Sequence, residues 1–434
     1  MKITVVGCGY VGLVTAAGLA ASGFYVTGVD RDRGKIDKLR RKKIPFYEKG
    51  LEELVGNNLK AKRLNFTSSL GLGMRNAQVV FIAVGTPTNA DGSADLSQVE
   101  AVAKEIASYI RDYTVIVNKS TVPIGTGLRV KKIIRQNLIS PLNFDVVSNP
   151  EFLREGSAVH DFMFPDRIVI GTESPKALEI MKTIYSRFIE QKVPIIRTNL
   201  ETAEMVKYAS NAFLATKISF INEIADLCEV VKADLPIVAK GMGLDKRIGP
   251  EFLSAGPGYG GSCFPKDTKA LIHIAREHGK SLSIVEATEK VNERTKKRMS
   301  EKIIRVLGNP AEKTIAILGL AFKANTDDMR ESPAIPIIWD LLDAGAQIRA
   351  HDPQALQEGE KIFGNKISCF DNEYETVTGA DALVILTEWG SYLNLDFKLL
   401  KEKMNQAILI DLRNLFSPEK VREHGFIYEG IGRG

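Results

Sequence analysis

The 434-residue chain is 44% hydrophobic and 26% charged, with 58 basic residues against 53 acidic ones and a formal net charge of +5. This is the composition of an ordinary globular protein of about three domains. The small basic excess is spread along the chain, which argues against nucleic acid or a membrane as partner, and no apolar run reaches transmembrane length. The four cysteines, Cys8, Cys228, Cys263 and Cys369, lie far apart and form no CxxC pair, so neither a metal site nor a disulfide framework is expected. No signal peptide precedes the first strand, and a reducing, cytoplasmic location is expected.

Residues 3–6 read as a short apolar strand, followed by Gly7-Cys8-Gly9-Tyr10-Val11-Gly12, a helix over 13–22, and a second strand over 25–29 that ends in Asp30. Strand, GxGxxG, helix, strand and acidic residue at this spacing is a dinucleotide-binding fingerprint. Gly7 permits the tight turn, Gly9 lets a pyrophosphate approach the backbone, and Gly12 lets helix and strand pack closely. Tyr10 and Val11 stand with Gly9 in the cofactor-binding turn, and the helix that follows turns its unpaired N–H groups and positive dipole end to the phosphates. Asp30 would accept from the adenosine ribose hydroxyls and repel a 2′-phosphate, so NAD is preferred over NADP.

The alternation continues with strands over 79–84, 114–118 and 145–148 and a helix over 96–110, which implies a parallel, doubly wound sheet. Ligands of such sheets bind beyond the carboxyl ends of the strands. Those ends carry Thr86, Ser120, Thr121, Glu151 and Glu155, each a common cap or turn residue by itself, but together able to line a nicotinamide crevice.

Residues 201–232 read as one helix without Pro or Gly, apolar at near-helical period. Some 30 residues span about 45 Å, long enough for a spine between domains and a subunit interface. Lys207 and Asn211 stand at i and i+4 and share a face. Residues 236–262 read as loop-rich. They lead into Gly258-Tyr259-Gly260-Gly261-Ser262-Cys263-Phe264-Pro265-Lys266-Asp267, a cysteine in a glycine-rich loop with a lysine and an aspartate just after it. The pattern points to a thiol nucleophile with an acid/base carboxylate nearby. Helical sequence follows over 268–307.

A second α/β unit has strands over 313–318, 347–350, 383–386 and 407–412, and resembles a Rossmann sheet without GxGxxG. Lys323, Arg330 and Arg413 stand at or beyond its strand ends, where an anionic ligand would bind, and His351 reads as a turn residue. The fold expected is α/β: two Rossmann-like doubly wound sheets joined by a long central helix and helical domain. The boundaries are 1–196 for the NAD-binding domain, 197–300 for the central helical domain with the cysteine loop, and 301–434 for a nucleotide-sugar domain.

Taken together, GCGYVG at 7–12, STVP at 120–123, NPEFLREG at 149–156, EMVKYASNAF at 204–213, PGYGGSCFPKD at 257–267, GLAFKANTDDMRESP at 319–333 and DLRN at 411–414 resemble the UDP-glucose/GDP-mannose dehydrogenase family. The resemblance runs essentially end to end. It implies a four-electron oxidation of a sugar C6 alcohol to a carboxylate with two NAD+, through a thiohemiacetal and a thioester on Cys263. It implies that Lys207 stabilises oxyanions, supported by Asn211, that Asp267 acts as a base through water, and that Thr121 and Glu151 position the hydrolytic water. Contacts to NAD are implied for Lys35, Thr86, Thr121, Glu155 and Lys266 beside Asp30. Substrate contacts are implied for Phe152, Leu153, Tyr259, Gly260 and Phe264, and for Lys323 and Arg413 in the last domain. Arg247 matches an arginine supplied to the sugar site across a subunit interface, so a homodimer or higher oligomer is implied. The sequence around Cys263 favours UDP-glucose, with GDP-mannose and UDP-N-acetyl-hexosamines as alternatives, and a non-catalytic sensor of NAD or nucleotide sugar as a different class.

Overall fold

In the computed structural model, which describes residues 1–433, the chain forms two compact units. The first comprises Met1–Ser210 with His273–Gly279, the second Asn211–Ile272 with Lys280–Gly434.

The first unit holds an eight-stranded sheet. Its strands are β1 (Lys2–Val6), β2 (Tyr25–Val29), β3 (Leu64–Thr67), β4 (Val79–Ile82), β5 (Thr114–Asn118), β6 (Phe144–Ser148), β7 (Ile168–Gly171) and β8 (Ile195–Thr198). They lie in the order β3-β2-β1-β4-β5-β6-β7-β8. Every neighbouring pair is parallel except β6 with β7. β4 and β5 are buried along their whole length, and they read as near-continuous apolar runs because helices cover both faces of a parallel sheet.

The second unit holds six parallel strands: β9 (Thr314–Leu318), β10 (Gln347–His351), β11 (Ile367–Cys369), β12 (Ala382–Ile385), β13 (Ile408–Asp411) and β14 (Ile427–Glu429). Their order is β11-β10-β9-β12-β13-β14. Renumbered within each unit, the first six strands of both sheets follow the dinucleotide-fold order 3-2-1-4-5-6, so each sheet has its switch point, and hence its ligand crevice, between its first and fourth strands.

The helices that position the site are α1 (Tyr10–Ala21), α2 (Thr126–Asn137), α3 (Leu200–Val231), α4 (Leu235–Gly243), α5 (Phe264–Glu277) and α6 (Ser283–Leu307). The predicted long helix is α3, at 32 residues. Three local readings change. The stretch read as loop-rich contains α4, which Pro236 starts at its first turn, where the missing N–H costs nothing. The helical sequence expected over 268–307 forms two helices, α5 and α6, because Gly279 takes φ of 65° after α5. His351 is no turn residue: it ends β10, buried, with Nδ1 3.1 Å from the Tyr392 hydroxyl.

Candidate active site

The glycine-rich turn of the first unit has the shape a pyrophosphate needs. Gly7 sits at φ of 96°, and a Cβ there would meet the Ala83 carbonyl oxygen at 2.6 Å. Gly12 packs so closely on this turn that its Cβ would lie 1.8 Å from the Gly7 oxygen. Gly9 differs: no heavy atom lies within 4 Å of where its Cβ would stand, and it begins α1 with no side-chain cap. Open space at an uncapped helix N-terminus is a cradle for a phosphate group.

Asp30 closes the turn. Its carboxylate accepts from the Cys8 N–H at 2.9 Å, the Asp32 N–H at 3.0 Å and the Lys35 ammonium at 2.9 Å. Burial pushes the Asp30 carboxyl up, but the Lys35 ammonium and the two N–H donors outweigh it and hold the group below the usual carboxylate range. Cys8 is buried, its thiol pushed up to about 12 by burial and the Asp30 charge, and therefore inert. The Tyr10 hydroxyl donates to Glu48 and accepts from the Gly156 N–H at 2.8 Å, tying the cradle to the 149–156 segment. Glu48 had no signal in the sequence, standing in a stretch without periodicity.

The strand ends beyond this cradle converge. Thr86, after β4, donates to the Thr121 carbonyl, after β5, at 2.8 Å. Lys207 on α3 forms an ion pair with Glu151, after β6, at 3.0 Å, and both side chains are almost fully buried. The other Glu151 oxygen accepts from the Leu153 N–H at 2.6 Å. The Phe152 ring stacks under the Arg167 guanidinium at 3.7 Å, with the Lys207 ammonium 5.5 Å from its centroid. Glu155 is buried nearby along the same segment.

Glu204, one turn before Lys207, was quoted only as part of a motif, and it proves to join all three segments. It accepts from the Gly125 and Gly127 N–H groups at the start of α2, at 2.7 and 2.8 Å, and from the Ser148 hydroxyl at 2.9 Å. Burial pushes its carboxyl up to about 7, against the pull of those three donors. A folded-state value raised from 4.5 gives a stability contribution that is complete below about pH 4.5 and lost as pH rises through 7. Its size is on the order of 3 kcal/mol. Melting of the protein followed from pH 4.5 to 8 is expected to fall more steeply than melting of Glu204→Gln, and parallel curves would contradict this. Beside Glu204 and Lys207 lies a cavity of about 10 Å³, also lined by Asn118, Ser120 and Thr121, about the space one water needs.

In the second unit, Cys263 stands immediately before α5, with its carbonyl accepting from the Asp267 N–H at 2.9 Å. The thiol therefore sits at a helix N-terminus, where partial positive charge faces a forming thiolate. Asp267 is buried and accepts from the Asn211 amide at 2.6 Å and the Lys266 ammonium at 2.5 Å. The loop is held from several sides. Asn222 accepts from the Gly256 N–H, and Asn292 on α6 both accepts from the Tyr259 N–H and donates to its carbonyl. Gly260 leaves no room for a side chain, since a Cβ would lie 2.3 Å from the Glu331 oxygen. Phe264 meets the Tyr259 ring edge-on at 6.0 Å. Asn222 and Asn292 escaped the sequence reading because an asparagine inside a helix gives no signal until its partner is known.

The second crevice repeats the first without its motif. Gly319, at φ of 99°, donates to the His351 carbonyl at 2.8 Å, as Gly7 donates to Val29 at 2.7 Å. Asp352 stands directly after β10, as Asp30 stands after β2, and accepts from the Leu320 and Ala321 N–H groups at 2.7 and 3.0 Å. Here the Trp389 indole also donates to Asp352, at 3.1 Å, and the carboxylate is fully buried. A protein side chain thus occupies the acid that stands where Asp30 does in the first unit. Arg413, after β13, bridges this switch point by donating to the Leu386 carbonyl at 2.7 Å and the Phe322 carbonyl at 3.1 Å, and it pairs with Glu388 at 3.0 Å. Lys323 follows Phe322 in the same loop. Arg330 forms a fork on Asp328, and Arg247 does the same on Asp245 while remaining largely exposed.

Residues 1–189 match the NAD binding domain of the UDP-glucose/GDP-mannose dehydrogenase family, 201–294 its central domain and 316–418 its UDP binding domain. The sequence is 50% identical to a UDP-glucose 6-dehydrogenase of Rhizobium meliloti over the whole of both chains. It superposes on a UDP-glucose dehydrogenase of the archaeon Pyrobaculum islandicum with a TM-score of 0.92, at 38% identity, covering 100% of this chain and 98% of that one. A UDP-D-ManNAc dehydrogenase of Pyrococcus horikoshii superposes with a TM-score of 0.88 at 28% identity, over the whole of both chains.

Proposed function

This chain belongs to the UDP-glucose/GDP-mannose dehydrogenase family, and from that membership we propose that it oxidises the C6 alcohol of UDP-glucose to the carboxylate of UDP-glucuronate. The observation that carries the reading is the Cys263 thiol at a helix N-terminus, one turn before the buried Asp267–Asn211 pair. The choice of sugar is supported by 50% identity to a relative named for UDP-glucose, against 28% to one named for UDP-D-ManNAc. We retain the three-part division at 1–196, 197–300 and 301–434.

Bound NAD supplies the hydride acceptor for both oxidations. Gly9, Tyr10 and Val11 hold its pyrophosphate, Asp30 with Lys35 its adenosine ribose, and Thr86, Thr121, Glu155 and Lys266 its remaining polar groups. Cys263 adds to the C6 aldehyde to give a thiohemiacetal, which keeps a hydrogen on C6 for the second oxidation. The resulting thioester takes up water, with Asp267 accepting its proton and Thr121 and Glu151 orienting it. Carboxylate leaves and the thiol is regenerated, so atoms and charge balance. Lys207 supplies charge to the oxyanion of each tetrahedral species, and Asn211, one turn on along α3, supports it with a hydrogen bond to the same oxygen. Phe152, Leu153, Tyr259, Gly260 and Phe264 shape the sugar pocket. Lys323 and Arg413 bind the UDP phosphates.

The NADH formed per mole of limiting UDP-glucose, run to completion, tests the reading. About two is expected for a thiol-mediated double oxidation. One would mean that the reaction stops at the aldehyde, and none, alongside oxidation of a UDP-N-acetyl sugar or GDP-mannose, would reassign the substrate.

The enzyme is at least a homodimer. Along α3, Phe213, Phe220, Leu227 and Val231 are exposed at helical spacing, and α4 adds Ile237. An apolar stripe of this length marks a protein interface, and Arg247, exposed while it forks on Asp245, is the residue assigned to a partner's sugar site. Sedimentation of wild type against Phe213→Glu/Phe220→Glu checks this, and a wild-type monomer would refute it. Among the described residues no helix is long and apolar enough to cross a membrane. With all four cysteines free, we place the enzyme in the reducing cytoplasm.

A further inference from the structure

All three polar groups of Tyr259 are taken by α6. Its N–H donates to the Asn292 amide oxygen at 2.8 Å, and its carbonyl accepts from the Asn292 amide nitrogen at 3.1 Å. Its hydroxyl donates to Glu289 Oε1 at 2.5 Å. The side chain is buried, and its ring meets Phe264 edge-on. Glu289 stands three residues before Asn292 and shares its helix face. The same carboxylate oxygen also meets the Thr268 hydroxyl, on α5. Thr268 is fully buried, and its hydroxyl lies 2.7 Å from the Phe264 carbonyl oxygen. One oxygen on α6 is thereby joined to Tyr259, four residues before Cys263, and to Thr268, five residues after it. α6 is itself anchored beside Glu289: Ser219 on α3 donates to the Thr288 carbonyl at 2.9 Å, and the Thr216 and Thr288 hydroxyls are 3.0 Å apart.

We propose that Glu289 is a positioning residue for the sugar pocket: by holding the Tyr259 hydroxyl it fixes the ring as an apolar wall and withholds the hydroxyl from the substrate. The bonds to Asn292 hold only the Tyr259 backbone, and the bond to Glu289 is what holds the far end of the side chain. Burial, and then the Glu289 charge, push the ionisation of the phenol far up, so the group stays a donor. A buried hydroxyl that loses its acceptor bears the cost of its desolvation unless it moves to another, whereas removing both partners of such a pair is nearly neutral. Thr268 is less exposed to the loss, because the Phe264 carbonyl remains beside it. Selection of the sugar at this wall is therefore by shape and not by a hydrogen bond from Tyr259. The proposal rests on the place given to Tyr259 in the sugar pocket above.

The test compares Glu289→Ala, Glu289→Gln, Tyr259→Phe and the double variant Glu289→Ala/Tyr259→Phe, each as the full-length enzyme with UDP-glucose and NAD, and with UDP as an inhibitor that lacks the sugar. Glu289→Ala is expected to raise KM for UDP-glucose about tenfold, with kcat held within about threefold and the Ki of UDP unchanged. Glu289→Gln keeps an oxygen that accepts both hydroxyls and is expected to restore KM to within about threefold of wild type. Tyr259→Phe, although nearer the sugar, is expected to change KM by no more than about twofold, and the double variant is expected to recover most of the loss in Glu289→Ala. Wild-type KM in folded Glu289→Ala would overturn the proposal. So would a tenfold rise in Tyr259→Phe, which would put the hydroxyl on the sugar itself. A rise in KM matched by an equal rise in the Ki of UDP, with a lowered melting temperature, would assign Glu289 a general structural role and overturn it as well. If the wild type oxidises a different nucleotide sugar, the substrate reading above falls, and the same comparison run with that sugar still decides the role of Glu289.

Discussion

Cys263→Ser is expected to lower steady-state turnover by about a thousandfold or more and to release no more than one NADH per sugar. The cause is the chemistry of the second oxidation. An aldehyde can give up a second hydride only after a nucleophile has added to it, and the species formed must then hydrolyse. A thiol at a helix N-terminus does both, because its anion forms readily and its acyl ester is labile. A hydroxyl at the same place is a poor nucleophile without a base, and the ester it forms is slow to break. The substitution removes one polarisable atom from a loop held by Asn222 and Asn292, so the fold and NAD binding are expected to survive. The measurement is NADH yield with limiting UDP-glucose, with mass spectrometry of the protein for a trapped adduct. Two NADH at a rate near wild type would exclude the thioester route.

The second large effect belongs to Asp267→Asn. The carboxylate is buried, and it is the acceptor for both the Asn211 amide and the Lys266 ammonium. An asparagine occupies the same volume but takes no proton from water, so the thioester is expected to form and then persist. A rapid burst of up to two NADH per active site should be followed by a steady state about 10² to 10⁴ slower. The Lys266 side chain keeps partial access to solvent, so its loss of a partner costs little stability, which a melting curve would verify. A steady state equal to wild type would remove Asp267 from the hydrolytic step. The two variants also separate from each other: loss of the thiol abolishes the second oxidation, and loss of the carboxylate abolishes release.

The strands and the first crevice were legible in the sequence for a physical reason. Buried parallel strands such as β4 and β5 are runs of Val, Ile and Phe, and a pyrophosphate turn needs glycine at Gly7, Gly9 and Gly12 and an acid at Asp30. These are local demands, met within some 30 residues. The cysteine loop was legible on the same grounds, since Gly258 and Gly261 take positive φ and Asp267 lies one helical turn from Cys263. The break between α5 and α6 was not located in the sequence because both sides of Gly279 are strong helical sequence, and one glycine is weak evidence for a stop.

Only the tertiary structure decided the partners of buried polar groups. Gly319 and Asp352 repeat the roles of Gly7 and Asp30, yet Leu320 and Ala321 replace the remainder of the motif, so the second crevice carried no recognisable pattern. Glu204 and Asn149 each stood in quoted segments without a role, because a carboxylate or an amide acquires one only from what faces it. Residues 125, 127, 148 and 204 are not neighbours along the chain and meet because α3 begins beside the carboxyl ends of β5 and β6. Periodicity and motif record the demands that a segment places on itself. The charge balance of a buried cluster is a sum over segments, and it exists only once the sheet has set them side by side.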